Sequence, residues 1–425
     1  MDKLNVWLIK EGEVLPVTEN IRLMRTGMMA KYLAQQKHNV VWWSSTYAHG
    51  IKKYISRGQK EFLVSENEKL ILLHSNIVYE KNMSLKRALY QKMIAKEFQK
   101  QSQYQTKPDV IVCSWPLVSF AREAVRYGKE NHVPVIIDIR DQWPDIYDIF
   151  FPKAIRKYCR WMLVPMKLSA RDILKSANGI TGISMHILKW GCRYAGREPG
   201  INDRCIFLGN EAVSLSVSEM ERMKRFWERY NVNENTWNIC FFASLEERGF
   251  DLDTVIKAIL KISKKFKNIR FVIGGEGGGK NHFMSLAAES SNIIFAGWLD
   301  NLQMNSLMKM SKLGIYCMRN RDDFIDTFSN KAIQYLSAGI PVLNALQGFA
   351  KRYLYETKAG LTYRENDVDD CAEKIEKLYL NEDLRKNMGL NAKKEFDIKY
   401  ESGIVNKQYE EYIFHIVESY KKMTD

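Results

Sequence analysis

Short apolar strand patterns alternate with helical patterns along almost the whole chain. In the N-terminal half, strands at 4–10 (LNVWLIK) and 133–141 (VPVIIDIRD) are separated by helical segments such as 22–36 (RLMRTGMMAKYLAQQ). The second half repeats this pattern with a strand at 238–244 (NICFFAS) and a helix at 251–266 (DLDTVIKAILKISKKF). Such alternation predicts parallel sheets covered by helices on both faces, with ligands bound beyond the carboxyl ends of the strands.

The chain is long enough for two domains of ordinary size, since it has 425 residues of which 46% are hydrophobic. The alternation restarts near Arg204, which predicts the end of the first domain there. Seven cysteines are scattered without CxxC or Cys/His spacing. We therefore expect reduced structural thiols in a cytosolic protein.

The segment 326–334 (DTFSNKAIQ) places polar side chains between a strand and a helix. It follows the apolar run 313–318 (LGIYCM), and helix-forming residues continue from it until Gly339. A helix that starts at Ser329 and Asn330 offers unpaired backbone amides and a partial positive charge. This segment therefore predicts a site for a diphosphate.

Three side chains of the same segment suit the rest of a sugar nucleotide. Lys331 is a candidate cation for the diphosphate, Asp326 is placed to hydrogen-bond a sugar hydroxyl, and Gln334 lies one turn into the helix, within reach of a ribose. The alternative is an ordinary strand, loop and helix unit whose polar side chains are only solvated.

The segment resembles the second-domain signature of retaining glycosyltransferases of the GT-B fold, family 4, in which two glutamates flank seven residues. In that family the first acid contacts the donor sugar and the second holds the ribose. Here the pair is Asp326 and Gln334, so both positions depart from the pattern. Aspartate is one methylene shorter, and glutamine lacks the charged two-oxygen acceptor of glutamate.

The resemblance implies an α/β protein of the GT-B fold, with two Rossmann-like domains whose parallel sheets face each other across a central cleft. It implies an N-terminal acceptor domain at 1–204 and a C-terminal nucleotide-sugar donor domain at 205–400. The last segment, 401–425, contains one amphipathic helical pattern. In GT-B enzymes the C-terminal helix crosses back onto the first domain, and we expect the same here.

Two further loops of the second half resemble donor-binding loops of the family. Arg248 and Gly249 resemble its Lys-Gly pair, whereas Ser244 stands where the family usually has arginine. The segment 274–280 (GGEGGGK) resembles its short glycine loop near the nucleotide and includes Gly275. Trp298 is then a candidate contact for the nucleobase, or else a core tryptophan.

The same glycine-rich segment also fits the GxxxxGK pattern of a phosphate-binding P-loop. A P-loop would place serine or threonine after the lysine, but Asn281 stands there, and the next strand pattern (NIIFAGW) carries no Walker B acid. The sequence therefore favours the sugar-nucleotide interpretation.

In the first half, the string 136–145 (IIDIRDQWPD) places charged residues directly after an apolar strand. It resembles a motif of transferases that build bacterial surface polysaccharides, as do WWSSTYAH, TGIS and KWGCRYAGREPGINDR elsewhere in this half. The resemblance implies that Asp141 and Arg140 face the acceptor. The alternative for Asp141 is a cap on the next segment.

The loops after the first two strands supply the other acceptor-site candidates. Asn20 and Arg22 lie in the first loop, which lacks the glycine pair of the family, and His49 ends the second. A lone histidine is more often structural. We include Asp326, Asp141 and His49 as candidate catalytic residues, and Asn20, Arg22 and Arg140 as candidate acceptor-binding residues.

The net charge of +14 is concentrated in two basic segments. Segment 151–197 has ten Lys or Arg against one acidic residue, and segment 81–107 has seven against one. Both mix cations with Leu, Met, Tyr and Trp, as do helices that lie on anionic membranes. The alternatives are solvated helix faces packed on a sheet, or nucleic-acid binding, which no recognised motif supports. We expect no signal peptide and no membrane-spanning segment.

Together these features predict a hexosyl- or N-acetylhexosaminyl-transferase, and the family resemblance implies that it retains the configuration of the transferred sugar. It would move a sugar from a nucleoside diphosphate to a glycan acceptor, lipid-linked, in capsule, O-antigen or other surface polysaccharide biosynthesis. We expect it at the inner face of the plasma membrane, and we expect no metal because no DxD motif ends a strand. A GT-B sugar-nucleotide 2-epimerase and a non-catalytic nucleotide-sugar-binding protein remain alternatives.

Overall fold

The computed structural model describes residues 3–17, 22–48, 52–80, 84–150, 158, 160–321 and 323–424. The chain forms two compact units. Unit 1 comprises Met1–Phe207 and Val405–Asp425, and unit 2 comprises Leu208–Ile404. The units divide after Phe207 and Ile404, where the sequence prediction has boundaries at 204 and 400.

Unit 1 is built on one eight-stranded sheet in the order β10-β9-β8-β7-β1-β2-β6-β5, and β3 and β4 form a separate antiparallel pair. The strands are β1 (Asn5–Ile9), β2 (Asn39–Ser45), β3 (Tyr47–Ala48), β4 (Lys53–Tyr54), β5 (Lys60–Ser65), β6 (Glu68–Leu73), β7 (Val110–Trp115), β8 (Val135–Ile139), β9 (Gly179–Gly182) and β10 (Asp203–Cys205). All neighbours in the large sheet are parallel except β5 and β6. The strand order reverses between β1 and β7, so ligand-binding loops are expected after these strands.

In the part of unit 1 before residue 207, the described residues include five helices. They are α1 (Arg25–Gln35), α2 (Leu85–Gln101), α3 (Val118–Asn131), α4 (Val164–Lys175) and α5 (Met185–Ala195). Single 3₁₀ turns lie at Ser102–Tyr104, Asp145–Phe150 and Arg160–Leu163. Several helices start at a serine that accepts a hydrogen bond from the first turn, as Ser184 does from the Ile187 amide at 3.2 Å.

Unit 2 contains a six-stranded sheet that is parallel throughout. Its strands are β11 (Trp237–Phe242), β12 (Ile269–Gly274), β13 (Ile293–Gly297), β14 (Ser311–Tyr316), β15 (Val342–Asn344) and β16 (Gly360–Thr362). The order is β13-β12-β11-β14-β15-β16, which is the dinucleotide-binding order 3-2-1-4-5-6. Strands β12 and β13 lie on one side of β11, and β14, β15 and β16 lie on the other, so the order reverses between β11 and β14.

The helices of unit 2 alternate with these strands, and a last helix returns to unit 1. They are α6 (Val217–Glu228), α7 (Leu252–Ser263), α8 (Lys280–Leu286), α9 (Asn301–Met310), α10 (Asn330–Ser337), α11 (Phe349–Thr357), α12 (Val368–Leu380) and α13 (Glu382–Lys399), followed by α14 (Ser402–Thr424). The predicted α/β fold class, with a parallel sheet in each of two domains, is confirmed.

Alternation along β1 divides the core of unit 1 between the two faces of its sheet. Trp7 and Ile9 belong to the core that α2, α3, α4 and α5 cover, whereas Val6 and Leu8 belong to the core shared with α1 and α14. Helix α14 contributes buried residues to this second core, among them Tyr409, Tyr412, Ile413 and Ile416. Burying these side chains holds the C-terminal helix in unit 1.

Among the described residues, no helix is both long and apolar enough to cross a membrane. The six cysteines that the structure describes are free thiols, and all but Cys205 are buried.

Candidate functional site

In unit 2, the loops after β11 and β14 meet where the strand order reverses. Backbone bonds join them: the Asp251 amide donates to the Cys317 carbonyl at 2.7 Å, and the Arg319 amide donates to the Gly249 carbonyl at 3.2 Å. The Arg321 guanidinium donates to the Arg248 carbonyl at 3.3 Å. The predicted Arg248-Gly249 pair therefore lies beside the loop that leads into α10.

The N-terminus of α10 lies at the end of this second loop. Ser329 is its N-cap residue, with extended backbone angles, and its amide donates to the Tyr316 hydroxyl at 3.1 Å. Tyr316 ends β14 and is buried, so it fixes where the helix begins. The amides of Asn330, Lys331 and Ala332 form the first turn and have no partner within the helix. They offer donors to an anion. Of the two amides that the sequence predicts for a diphosphate, that of Asn330 is among them, whereas the Ser329 amide is taken by the Tyr316 hydroxyl.

Lys331 is held close to this anion site. Its ammonium lies 4.5 Å from the centre of the Phe250 ring, on the loop after β11. Desolvation lowers the pKa of Lys331 to about 8, while the Cys317 thiol opposes the shift. Gln334 is buried in the next turn, and Asp326 is half-buried in the preceding loop.

The glycine-rich loop after β12 packs directly on the loop after β11. The Leu245 amide donates to the Glu276 carbonyl at 2.9 Å, and the Gly279 amide returns to the Leu245 carbonyl at 2.8 Å. Gly275 has φ +138°, and a Cβ there would lie 1.8 Å from the Ala243 carbonyl oxygen. Glycine is required because no side chain fits between the two backbones.

Trp298, on the loop after β13, lies near Gly275 of the glycine-rich loop. The Gly275 amide donates to the Gly297 carbonyl at 2.6 Å, and Trp298 follows directly with 73% of its surface exposed. An exposed ring fits a nucleobase contact better than the alternative of a core tryptophan. Lys280 pairs with Glu276 at 2.8 Å, so its ammonium is engaged within the loop.

A charged cluster that the sequence analysis missed supports the loop after β14. The Arg319 guanidinium lies 3.3 Å from Glu365 and 3.6 Å from Asp251. Asp251 is fully buried and accepts hydrogen bonds from the Thr254 hydroxyl at 2.7 Å and the Asn366 amide at 3.0 Å. Except for Thr254, the partners of Asp251 are far from it in sequence, so no local pattern identifies them.

In unit 1, the strand ends around β8 enclose a buried ion-pair network. Asp138 on β8 is 0% exposed and accepts two hydrogen bonds from Arg25, at 3.0 and 3.1 Å, and one from the Thr181 hydroxyl at 2.8 Å. Arg140 donates to the same carboxylate at 2.9 Å. Burial alone would raise the pKa of Asp138, but Arg25 and Arg140 lower it well below the ordinary value.

Each of the three nitrogens of the Arg140 guanidinium donates a hydrogen bond within this network. Besides Asp138, it pairs with Glu13 and donates to the Thr26 hydroxyl at 2.8 Å. Glu13 accepts from the Thr26 amide at 3.1 Å, at the start of α1. Arg140 therefore ties the loop after β8 to the loop after β1, and its predicted acceptor contact remains a prediction.

The other acceptor-side candidates lie on the loops around this network. Asp141 is exposed, yet desolvation by surrounding atoms raises the pKa of its carboxyl, against the opposing charges of Lys10 and Arg140. Arg22 is half-buried just before α1. The predicted Asn20 and His49 lie outside the described residues.

Two residues directly after β1 also form part of this region, although the sequence analysis assigned them no role. Burial lowers the pKa of Lys10 and raises that of Glu11. One oxygen of Glu11 accepts from the Gln91 amide group at 3.2 Å. Only their position at a strand end could have indicated them.

Comparison with known protein families identifies a matching domain in unit 2. Residues 223–395, which contain all six strands of the unit 2 sheet, match the family described as "Glycosyl transferases group 1". No curated protein sequence matches the chain.

Several solved structures share the fold of the whole chain. Sucrose-phosphate synthase from Thermosynechococcus elongatus has a TM-score of 0.73 at 12% identity, covering 98% of this chain and 100% of its own. HepE from Anabaena, solved in complex with UDP and glucose, has a TM-score of 0.66 at 11% identity, with coverages of 97% and 100%. WaaG, described as a glycosyltransferase involved in lipopolysaccharide biosynthesis, has a TM-score of 0.60 at 13% identity, with coverages of 95% and 98%.

The structural likeness confirms the predicted GT-B fold. Together with the matched domain in unit 2, it supports a glycosyltransferase, as the sequence predicts.

Removing the Asp138 carboxylate charge should destabilise the protein strongly. We expect Asp138→Asn to lower the free energy of unfolding by about 3 kcal/mol, because it leaves Arg25 and Arg140 without their shared buried partner. The exposed neighbour Asp141→Asn is the control and should change the free energy of unfolding by less than about 0.5 kcal/mol.

Because the pKa of Asp138 is lowered in the folded protein, its stabilisation is present above the unfolded pKa of about 3.9 and is lost as the pH falls below it. Urea unfolding at neutral and acid pH measures both effects, and equal losses in the two variants would contradict the assignment.

Gly275→Ala should disrupt the glycine-rich loop, because it combines a positive φ with a clash against the Ala243 carbonyl. We expect a loss of at least about 2 kcal/mol in the free energy of unfolding. Gly278→Ala is the matched control, since the nearest atom to its Cβ would be a Glu246 carboxylate oxygen at 3.6 Å. Chemical denaturation compares the two, and a stable Gly275→Ala protein would show that the loop adopts another conformation.

Proposed function

We propose that this protein is a retaining glycosyltransferase that moves a hexosyl or N-acetylhexosaminyl unit from a nucleoside diphosphate to a lipid-linked glycan acceptor. The role proposed is in the synthesis of a bacterial surface polysaccharide. The observation that carries the proposal is the α10 N-terminus, with Lys331 beside it, at the reversal point of the unit 2 sheet.

The diphosphate of the donor would be bound at this helix start. The amides of Asn330 and Lys331 and the Lys331 ammonium supply donors and positive charge, and the exposed Arg248 lies on the adjoining loop. Charge that develops on the leaving diphosphate is stabilised by such preorganised donors, and the proposal includes no metal.

The remaining parts of the donor would contact the flanking residues. Asp326 is proposed for the donor sugar and Gln334 for the ribose, as the family resemblance implies. Gly275, which lets its loop pack on the Ala243 backbone, is proposed to lie beside the nucleotide, and the exposed ring of Trp298 is proposed to contact the base. The bound UDP and glucose of the Anabaena structure support a nucleotide-sugar donor for this fold.

The acceptor would be bound on the strand ends of unit 1. Asp141 is the proposed catalytic group there, since it is exposed just after β8 and follows Arg140 in the chain. Arg22 is proposed to bind the acceptor, with Asn20 and His49 as further candidates. Retention of configuration rests on the family resemblance.

An anionic membrane surface is the proposed partner of the two basic segments. The described part of 151–197 exposes large apolar side chains among its cations, with Trp161 at 73%. Others in this segment are Tyr158, Met162, Val164, Met166 and Leu168, and segment 81–107 adds Leu85, Leu89 and Tyr104. Apolar side chains beside lysine and arginine suit the headgroup layer of a bilayer, where a lipid-linked acceptor is found.

Nucleotide binding should depend on the protonation of Lys331. We expect UDP, GDP or ADP to bind, with an affinity that is constant up to about pH 8 and then falls by up to about tenfold per pH unit, because the free lysine loses its proton there. Lys331→Arg should keep its affinity above pH 8, since arginine stays protonated. Lys280→Arg, at the lysine paired with Glu276, is the control and should follow the wild type. Calorimetric titration measures these values.

Two outcomes of this titration would count against the proposal. If none of the three nucleotides binds, the transferase assignment fails. If the Lys331→Arg variant loses affinity above pH 8 as the wild type does, Lys331 is not the group that contacts the diphosphate.

Binding to anionic vesicles should require both the charge and the exposed aromatic residues of segment 151–197. In flotation with vesicles of mixed phosphatidylglycerol and phosphatidylcholine, we expect binding that is lost in about 1 M salt, because salt screens surface charges. Replacing Trp161 and Met162 together by serine should weaken it severalfold. Tyr355→Ser, at an 84% exposed tyrosine of unit 2, is the control. Equal flotation with purely neutral vesicles would refute the electrostatic attraction.

A further inference from the structure

A groove of about 410 Å³ runs along α1 in unit 1. Its walls come from α1, from the β5–β6 hairpin and from the chain before α1, where Leu23 follows the acceptor-site candidate Arg22. Glu68, the first residue of β6, lines it at the amino end of the parallel strands. The size falls within the range of ligand-binding sites in proteins.

Glu68 is buried in this groove without a partner. Its side chain is 4% exposed, and among the described residues no donor forms a hydrogen bond or an ion pair with its carboxylate. Burial raises the pKa of Glu68 to about 7, although Lys31 on α1 opposes the shift. A desolvated carboxylate without donors is costly, so one that faces a groove is suited to a ligand that supplies them.

The surroundings of Glu68 favour a neutral ligand with both hydroxyl and C–H surfaces. Leu23, Ala34 and Val64 give the groove apolar walls. The exposed side chains at its edge carry both signs of charge, with Lys31 and Lys37 on α1 and Glu66 on the hairpin. Lys31 and Lys37 would repel a cationic ligand, and Glu66 would repel an anionic one.

We propose that this groove binds a neutral oligosaccharide, the part of the glycan acceptor that is remote from the bond being formed. Glu68 accepts hydrogen bonds from its hydroxyls, and Leu23 and Val64 contact the C–H faces of its rings. The choice of a glycan rests on the proposed function. Leu23, which lines the groove, follows the acceptor-site candidate Arg22 in the chain, and from there the groove runs along α1 toward the amino ends of the strands.

Saturation-transfer NMR with neutral disaccharides tests the groove directly. The probes are maltose, cellobiose, lactose and diacetylchitobiose at pH 8, each in the presence of saturating UDP so that the donor site is blocked. We expect at least one to give a transfer signal that Glu68→Gln lowers at least fivefold. Glu66→Gln, at the exposed glutamate of the same hairpin, is the matched control and should keep the signal.

A second variant and a stability measurement separate binding from folding. Val64→Trp should also abolish the signal, since the indole fills the groove. Glu68→Gln removes a buried charge, so its melting temperature at pH 8 should equal or exceed that of the wild type. Nucleotide titration of both variants should match the wild type, because neither residue belongs to the donor site.

Three results would decide against the proposal. The absence of a signal from all four disaccharides, or an unchanged signal in Glu68→Gln, would overturn the groove as an oligosaccharide site. Arginine methyl ester that binds instead, and that Glu68→Gln releases, would identify a cation site. Failure of nucleotide binding alone would affect the proposed transferase activity and leave the groove result standing.

Discussion

Parallel strand direction is the constraint on which the candidate sites depend. Strands that run in one direction bring their carboxyl ends to one edge of the sheet, and their polar loops meet there. In unit 2 the order β13-β12-β11-β14-β15-β16 reverses between β11 and β14. Backbone hydrogen bonds then join the loops after those two strands, which places Arg248 beside the segment that leads to Lys331.

In unit 1 the charged residues at the strand ends mainly hold loops in place. Asp138 joins Arg25, Arg140 and Thr181, and Arg25 also donates to the carbonyl of Phe207, the last residue before the chain enters unit 2. Tyr409 on α14 hydrogen-bonds Thr181 at 3.0 Å. One buried carboxylate therefore organises the start of α1, the exit of the chain and the C-terminal helix. A buried charge of this kind is tolerated because every oxygen has partners.

The donor half relies on small residues and on a desolvated lysine. Gly275 allows two loop backbones to touch. Its amide donates to the Gly297 carbonyl, and the exposed Trp298 follows Gly297 in the chain. Lys331 rests on the Phe250 ring, where desolvation lowers its pKa toward neutrality. An anion that binds there gains a cation whose own hydration has already been removed. Glu68 in unit 1 shows the opposite sign of the same effect, because burial without a partner raises its pKa.

The sequence by itself determined the α/β class, the two repeats of alternation and the helix that starts at Ser329, because each depends on residues that are near in the chain. It also identified Asp326 to Gln334 as one segment. Only the tertiary structure decided that Arg140 pairs with Glu13 and Asp138, and that Arg25 reaches Asp138 across 113 positions. It also decided that Glu68 is buried with no donor among the residues that the structure describes. These outcomes depend on which strands become neighbours and on how deeply each side chain is buried. A local sequence pattern indicates neither the neighbouring strands nor the depth of burial, because hydrogen-bond partners and desolvation are set by residues distant in the chain.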